Sequence, residues 1–166
     1  MTAISGIQLK RSAWQNTAIL TLAFWLGSSL LLDFVIMPSL YATGMMAQPS
    51  FATAGYSIFW IFNRIELLCA ALVLTSVLAL HGIENASASQ GHKLIWLSSI
   101  LLVIVCIYTY FFTPEMGALG VQLNLFEQVS EVPATMTQMH EGYWLLEALK
   151  LTLGGILLNG CYRQQH

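Results

Sequence analysis

The stretch that decides the fold is IFWIFNRIELLCAALVLTSVLAL, residues 58–80. It is long and apolar enough to cross a bilayer, because about 20 apolar residues in a helix span a hydrocarbon core of about 30 Å. Its first half nevertheless contains Asn63, Arg64 and Glu66. A charged side chain at membrane depth costs about 2.5–3.5 kcal/mol on insertion scales, so it usually faces a partner, a cavity or a substrate. The rest of the chain is expected to supply those partners.

Composition places the chain among integral membrane proteins. Of its 166 residues, 57% are hydrophobic and only 8% are charged, whereas a soluble domain is about 25% charged. The net charge of -2 does not indicate nucleic acid as a partner. The three cysteines show no CxxC spacing and predict no disulfide framework. We therefore expect one domain, residues 1–166, in a lipid bilayer.

Four long apolar runs predict an all-α fold, a four-helix transmembrane bundle. Pro38 is expected to end the first span and Pro114 the third, because proline cannot continue a helix normally. An amphipathic helix on the membrane surface is predicted for residues 119–129. The predicted spans are residues 14–37, 58–80, 94–112 and 143–161.

Basic residues outside the spans predict the orientation. In a four-span topology, all of them fall on the side of the membrane that holds both termini. By the positive-inside rule, both termini are predicted to be cytoplasmic. These basic residues are Lys10, Arg11, Lys93 and Arg163.

The polar residues of the spans are expected to form one layer. At about 1.5 Å per residue, each lies in the outer half of the core, away from the termini. One interpretation is a structural clamp between helices, since polar side chains commonly hold membrane helices together. The other is a binding site or ion path that opens outward. The predicted layer contains Asp33, Asn63, Arg64, Glu66, Glu115, Glu147 and Lys150.

Helical spacing limits which of these side chains pair. Arg64 and Glu66 are about 200° apart around a helix, so they cannot pair with each other. We expect Arg64 to pair with Asp33 or Glu147. We expect Glu66 to pair with Lys150 or to hold a proton, and Lys150 can also reach Glu147 three residues earlier. Three carboxylates against two cations leave one negative charge, which gives room for a bound proton or cation.

Methionines gather on the predicted outer side, where MTQMH also places a histidine. Thioether sulfur with imidazole suits copper, particularly Cu(I), although methionine also fills gaps in helix packing. The candidate metal ligands are Met45, Met46, Met136, Met139 and His140. A haem would have to use His81 or His92 near the opposite side. Tyr143, Trp144 and Trp60 are predicted to belong to the interfacial aromatic belt.

The segments FWLGSSLLLDFVIMPSLYATGMM, AGYSIFWIFNRIELLCAALVL and MTQMHEGYWLLEALKLTLGGILL carry a resemblance. Together they resemble an uncharacterised bacterial and cyanobacterial four-helix membrane family related to transmembrane protein 205. That family is similar in layout to the copper-resistance D membrane proteins and, more distantly, to the HemJ-type protoporphyrinogen oxidases. The chain departs from the HemJ pattern because its first span has no histidine.

Three functions are compatible with these features. The first is a small membrane protein that binds or passes a metal cation, with copper the first candidate, or a small solute. The second is a non-enzymatic assembly or stabilising subunit of a larger membrane complex, or a homo-oligomer. The third is a haem-binding oxidase of the HemJ type. The expected location is the bacterial plasma membrane, or the thylakoid membrane in a cyanobacterium.

Overall fold

The computed structural model describes residues 2–45, 48, 51–83, 89–126 and 134–163, and nearly all of these residues are helical. Two of the long helices each contain one π-helical turn. In chain order, the elements are α1 (Thr2–Leu31), the first π turn (Leu32–Ile36), α2 (Met37–Ala42), α3 (Phe51–Ile83), α4 (Ser89–Ile107), the second π turn (Tyr108–Phe112), α5 (Thr113–Phe126) and α6 (Ala134–Arg163).

The elements form four continuous helical segments, which we call rods: α1 through α2, α3, α4 through α5, and α6. Each rod is long and apolar enough to span a membrane. This confirms the all-α architecture and the number of spans. In the structure, the spanning regions are longer than the sequence predicts: Gly6–Ala42, Thr53–Ile83, Gly91–Gly120 and Thr137–Arg163.

The rods pack as a closed four-helix bundle, in which α3 and α6 each contact both α1 and α4. At one end, which we call the terminal end, α1 begins and α6 finishes. There the Gln15 side chain donates a 2.9 Å hydrogen bond to the Cys161 carbonyl. The rings of His81 and His92 also meet at this end, with centroids 4.9 Å apart. The opposite end, where α2 finishes and α3 and α6 begin, is called the loop end.

Both prolines that were predicted to end spans lie inside continuous rods instead, so this prediction is wrong. Each follows a π turn by two residues: Pro38 lies in α2, and Pro114 lies in α5. The N–H of Met37 bonds to the carbonyl of Leu32, five residues back. The hydrogen bond spans five residues instead of the four of an α-helix, so the turn is wider. The wider turn gives room for the ring of the proline that follows. The rods therefore continue past both prolines.

The prediction of a surface helix over residues 119–129 is also wrong for the part that the structure describes. Residues 113–126 form α5, which continues the third rod and packs against α3. Residues 127–129 lie outside the described residues.

The bundle has an apolar core between its helices and an apolar exterior. Ala18, Leu22, Val73, Leu101 and Leu157 are buried together between the rods. On the outside, many large aliphatic side chains are exposed, as expected for helices that face lipid. The chain therefore has the surface of a membrane protein on all four rods.

Shortening Leu22 should destabilise the bundle, because this side chain is fully buried, whereas Leu20 on the same helix is 69% exposed. We expect Leu22→Ala to lower the free energy of unfolding by about 2–5 kcal/mol and Leu20→Ala to leave it nearly unchanged. Thermal unfolding of both purified variants in one detergent measures the difference. Equal midpoints for the two variants would contradict this packing.

Candidate functional site

Lys150 lies at the centre of a polar cluster between three helices. It is 1% exposed, and its Nζ atom lies 2.8 Å from Glu147 Oε2, one turn earlier on α6. The same atom forms an ion pair with Glu66 of α3 and donates to Ser29 Oγ of α1 at 3.1 Å. Both partners that spacing predicted for Lys150 are present. One ammonium group therefore joins α1, α3 and α6.

One carboxylate oxygen of Glu66 accepts several hydrogen bonds. Besides Lys150, its Oε1 atom accepts hydrogen bonds of 2.9 Å from Trp25 Nε1 and from Ser29 Oγ. Trp25, Ser29 and Glu66 are all buried. The indole and the hydroxyl hold the carboxylate in place, so its orientation does not depend on Lys150 alone.

Glu147 joins the cluster to both π turns. Its Oε2 atom accepts a 3.2 Å hydrogen bond from the Tyr108 hydroxyl. The ring of Tyr143 lies against Tyr108, with centroids 4.8 Å apart. The buried Asp33 carboxyl lies close to that of Glu147. Because an ionised carboxylate only accepts hydrogen bonds, a bond between these two carboxyls needs a proton on one of them.

The two π turns contribute directly to this cluster. Asp33 belongs to the first and Tyr108 to the second, and both side chains are buried. A π turn changes which side of a helix the following residues face, and such turns are frequent at functional sites. The turns that accommodate the prolines thus also position two of the polar side chains.

Asn63 extends the polar region along α3 toward the loop end. Its side-chain amide donates a 2.5 Å hydrogen bond to Thr113 Oγ1. The neighbouring Thr109 hydroxyl donates to the Val105 carbonyl at 2.8 Å. Asn63, Thr109 and Thr113 are buried, so polar groups continue beyond Glu66 on this side of the cluster.

Buried acceptor atoms outnumber the donors that face them. Asn63 Oδ1, Glu66 Oε2 and Glu147 Oε1 are buried and have no hydrogen-bond partner among the described protein groups. With Asp33, Glu66 and Glu147 ionised, Lys150 would neutralise only one of three buried carboxylates. Uncompensated charge in such a site is costly. The arrangement is therefore suited to an additional positive charge or donor.

Five of the seven residues of the predicted layer are buried: Asp33, Asn63, Glu66, Glu147 and Lys150. Glu115 and Arg64 are exposed. The expected pairing of Arg64 with Asp33 or Glu147 is wrong, because its guanidinium packs over the Trp60 ring, 3.3 Å from the centroid.

The cluster also lies farther from the ends of its helices than the sequence predicts. The helices begin at Phe51 and Ala134, earlier than the predicted spans. Glu66 and Lys150 consequently lie midway along their helices rather than near one end.

The predicted copper ligands are not assembled by the residues that the structure describes. Met45 and His140 are exposed, and Met139 is half-buried. Met46 and the side chain of Met136 lie outside the described part of the chain. No three His, Cys, Asp or Glu side chains among the described residues converge in a way that would hold a metal ion.

Sequence reasoning missed Trp25, Ser29 and Tyr108. Trp25, Ser29 and Asp33 follow one another at intervals of four residues, so they share a face of one helix. That spacing was the signal available for the first two. No such spacing in the sequence indicated Tyr108. Tyr143, predicted in the aromatic belt, is buried against it instead.

Comparison with known proteins identifies a family. The family model described as "Domain of unknown function (DUF4149)" matches residues 20–124. The chain belongs to this family. The match includes Ser29, Asp33, Glu66 and Tyr108, while α6 lies beyond it.

No curated protein and no solved structure matches the chain. The relationships to transmembrane protein 205, to copper-resistance D and to HemJ-type proteins therefore stay predictions.

Replacing Lys150 should destabilise the bundle, because the carboxylates that it pairs with would stay buried without a cation. We expect Lys150→Met to cost about 3–5 kcal/mol, as for other buried ion pairs that lose one partner. Adding Glu66→Gln to it should recover part of the loss, because one stranded charge is removed. Thermal unfolding of both variants in detergent measures the effect.

Arg163→Gln, which removes an exposed basic residue of the same helix, is the matched control. A Lys150→Met variant as stable as the wild type would show that the ammonium is not needed to hold the helices together.

Proposed function

We propose that this protein binds and releases a cation in the buried cluster of Asp33, Glu66, Glu147 and Lys150, and that the cation is a proton. The observation that carries the proposal is the surplus of buried acceptors: three carboxyls face one ammonium group, and three of the buried oxygens have no partner among the described groups. Ionisable residues at membrane depth commonly mark proton relays and ion pathways. A small proton-binding membrane protein, of the kind used in proton-coupled transport, fits this arrangement.

The chemistry of the cluster favours a proton over a metal ion. Lys150 already occupies the space between Glu66 and Glu147, and its positive charge would repel a metal cation held by the same oxygens. Copper prefers sulfur and imidazole ligands, whereas this cluster offers carboxylate, hydroxyl and amide oxygens. A proton needs only one carboxylate oxygen and adds no volume.

Access to the site is proposed from the loop end. Between the cluster and the terminal end, buried apolar side chains such as Val73, Val77 and Leu157 pack together. The buried hydroxyls of Ser76 and Ser98 on this side donate to carbonyls of their own helices. Toward the loop end, Asn63 and Thr113 are hydrogen-bonded to each other, and the amide oxygen of Asn63 is unpartnered. This asymmetry supports exchange of the proton with the loop-end side of the membrane.

The other functions stay hypotheses with their own tests. Copper handling would require Met45, Met46, Met136, Met139 and His140 to form one site, and elemental analysis of wild-type and His140→Ala protein would reveal it. A haem would give a visible absorption band in the purified protein. A stoichiometric partner after gentle solubilisation would support the role of an assembly subunit.

Infrared spectroscopy can test for the bound proton directly. We expect the wild type at neutral pH to show the C=O stretch of a protonated carboxylic acid, because Asp33 and Glu147 face each other and can share a proton. Asp33→Asn and Glu147→Gln should each remove or shift this band. Exchange into heavy water should shift it as well.

Glu141→Gln is the matched control, since Glu141 lies on the same helix as Glu147 but is exposed. It should leave the band unchanged. A wild-type spectrum without a protonated carboxyl at neutral pH would refute the proposal.

We further propose that both termini are cytoplasmic, so that the loop end faces the opposite side. Lys10, Arg11, Lys93 and Arg163 all belong to the terminal end of the bundle, which supports this orientation. A green fluorescent protein fused to the C-terminus should fluoresce in cells, and an alkaline phosphatase fused there should be inactive. The reverse pair of results would invert the topology.

A further inference from the structure

Arg64 is a charged residue on the outer surface of the bundle. It lies in an exposed apolar stripe of α3, whose members include Trp60, Ile61, Leu68 and Leu72. The guanidinium carbon lies 3.3 Å from the centroid of the Trp60 ring. One guanidinium N–H donates to the Trp60 carbonyl at 3.2 Å. The charge is therefore held in one place by a single neighbouring residue on its own helix.

No carboxylate of the described residues neutralises this charge. The ion pairs that Glu66 and Glu147 form are with Lys150, inside the bundle. An arginine carries five N–H donors in a planar fork that fits the oxygens of a carboxylate or a phosphate. On a surface otherwise made of aliphatic and aromatic groups, those donors are suited to an anion from outside the described part of the chain.

The length of α3 places Arg64 in the loop-end half of the hydrocarbon core. The span Thr53–Ile83 has 31 residues, which makes it about 46 Å long. A centred hydrocarbon core of about 30 Å leaves about 8 Å of helix beyond it at each end. The Cα atom of Arg64 then lies about 8 Å inside the core on the loop-end side.

The side chain of Arg64 extends toward that boundary. Because its guanidinium bonds to the carbonyl of Trp60, one turn nearer the loop end, the charge lies closer to the boundary than the Cα atom. Long basic side chains reach the interface in this way, and tryptophan is enriched at the same level. Lipid phosphate groups lie just beyond this boundary.

We propose that Arg64 and Trp60 form a binding site for the phosphate of a phospholipid headgroup in the leaflet at the loop end. The guanidinium fork binds the phosphate, the indole fixes the guanidinium, and the acyl chains lie along the exposed stripe of α3. This site does not depend on the proposed proton binding, because Arg64 faces away from Glu66 and Lys150.

A second copy of the chain fits the same surface less well. Glu66 is the only carboxylate of α3 and is buried. A two-fold contact through this stripe would therefore bring the Arg64 of one copy toward the Arg64 of the other, and like charges repel. A phosphate group offers the opposite charge without any further contact.

Native mass spectrometry of the detergent-purified protein tests this site, with phosphatidylglycerol added as the phosphate lipid and a galactolipid as the phosphate-free lipid. We expect the wild type to retain phosphatidylglycerol in preference to the galactolipid. Arg64→Leu should weaken the retention about tenfold, the value of one charge-assisted interaction. Arg64→Lys should keep part of it, since the charge remains but the planar fork is lost.

Arg163→Gln is the matched control, because Arg163 is an exposed basic residue at the terminal end, and it should retain the lipid as the wild type does. The thermal unfolding midpoint of Arg64→Leu in lipid-free detergent should match the wild type, which shows that the variant folds. Equal lipid retention by Arg64→Leu and the wild type would overturn the proposal. Displacement of the lipid by millimolar inorganic phosphate would overturn it in favour of a free anion. A dimer that dissociates in Arg64→Leu without lipid would overturn it in favour of a second copy.

Discussion

The buried ammonium group of Lys150 is the interaction on which the rest of the structure depends. Taking an ion out of water costs several kcal/mol even after relaxation, so the group must be surrounded by acceptors. These acceptors come from Ser29, Glu66 and Glu147, on three different helices or turns. Apolar packing between membrane helices tolerates sliding and rotation, because lipid is as apolar as a leucine side chain. A charge with three fixed partners tolerates neither, and it selects one register of α1, α3 and α6.

The carboxylates around Lys150 exceed what a structural clamp requires. One ammonium group needs one carboxylate, and the hydroxyl of Ser29 and the indole of Trp25 already complete the surroundings of Glu66. Asp33 and Glu147 add further negative charge without adding a cation. Because extra buried charge destabilises a fold, a purely structural role leaves these two residues unexplained. The proposed proton would neutralise one carboxyl of this pair and supply the hydrogen between the two.

Hydropathy alone was sufficient to predict the four spans, because length and apolar character are properties of each segment by itself. The contact of Glu66 with Lys150 could also be predicted, since few ionisable residues lie in the spans and they must find one another. The π turns could not. Pro38 and Pro114 normally end helices, and only the hydrogen-bond pattern of the preceding turn shows that the rods continue. Tyr108 is a buried residue of the second of these turns. Its place in the site could therefore not be predicted from the sequence either.

Arg64 and Lys150 show that an ionisable residue in a span can lie either inside the bundle or on its surface. Both are cations within long apolar helices, where a charged side chain is costly to insert. Their environments are decided by the angular position of each residue on its helix: Lys150 shares a face with Glu147, whereas Arg64 lies about 200° from Glu66. One cation therefore enters the interior and organises it, and the other faces outward and meets Trp60. The bundle thus separates its two membrane cations into an inner group that interacts with protein carboxylates and an outer group that faces the lipid.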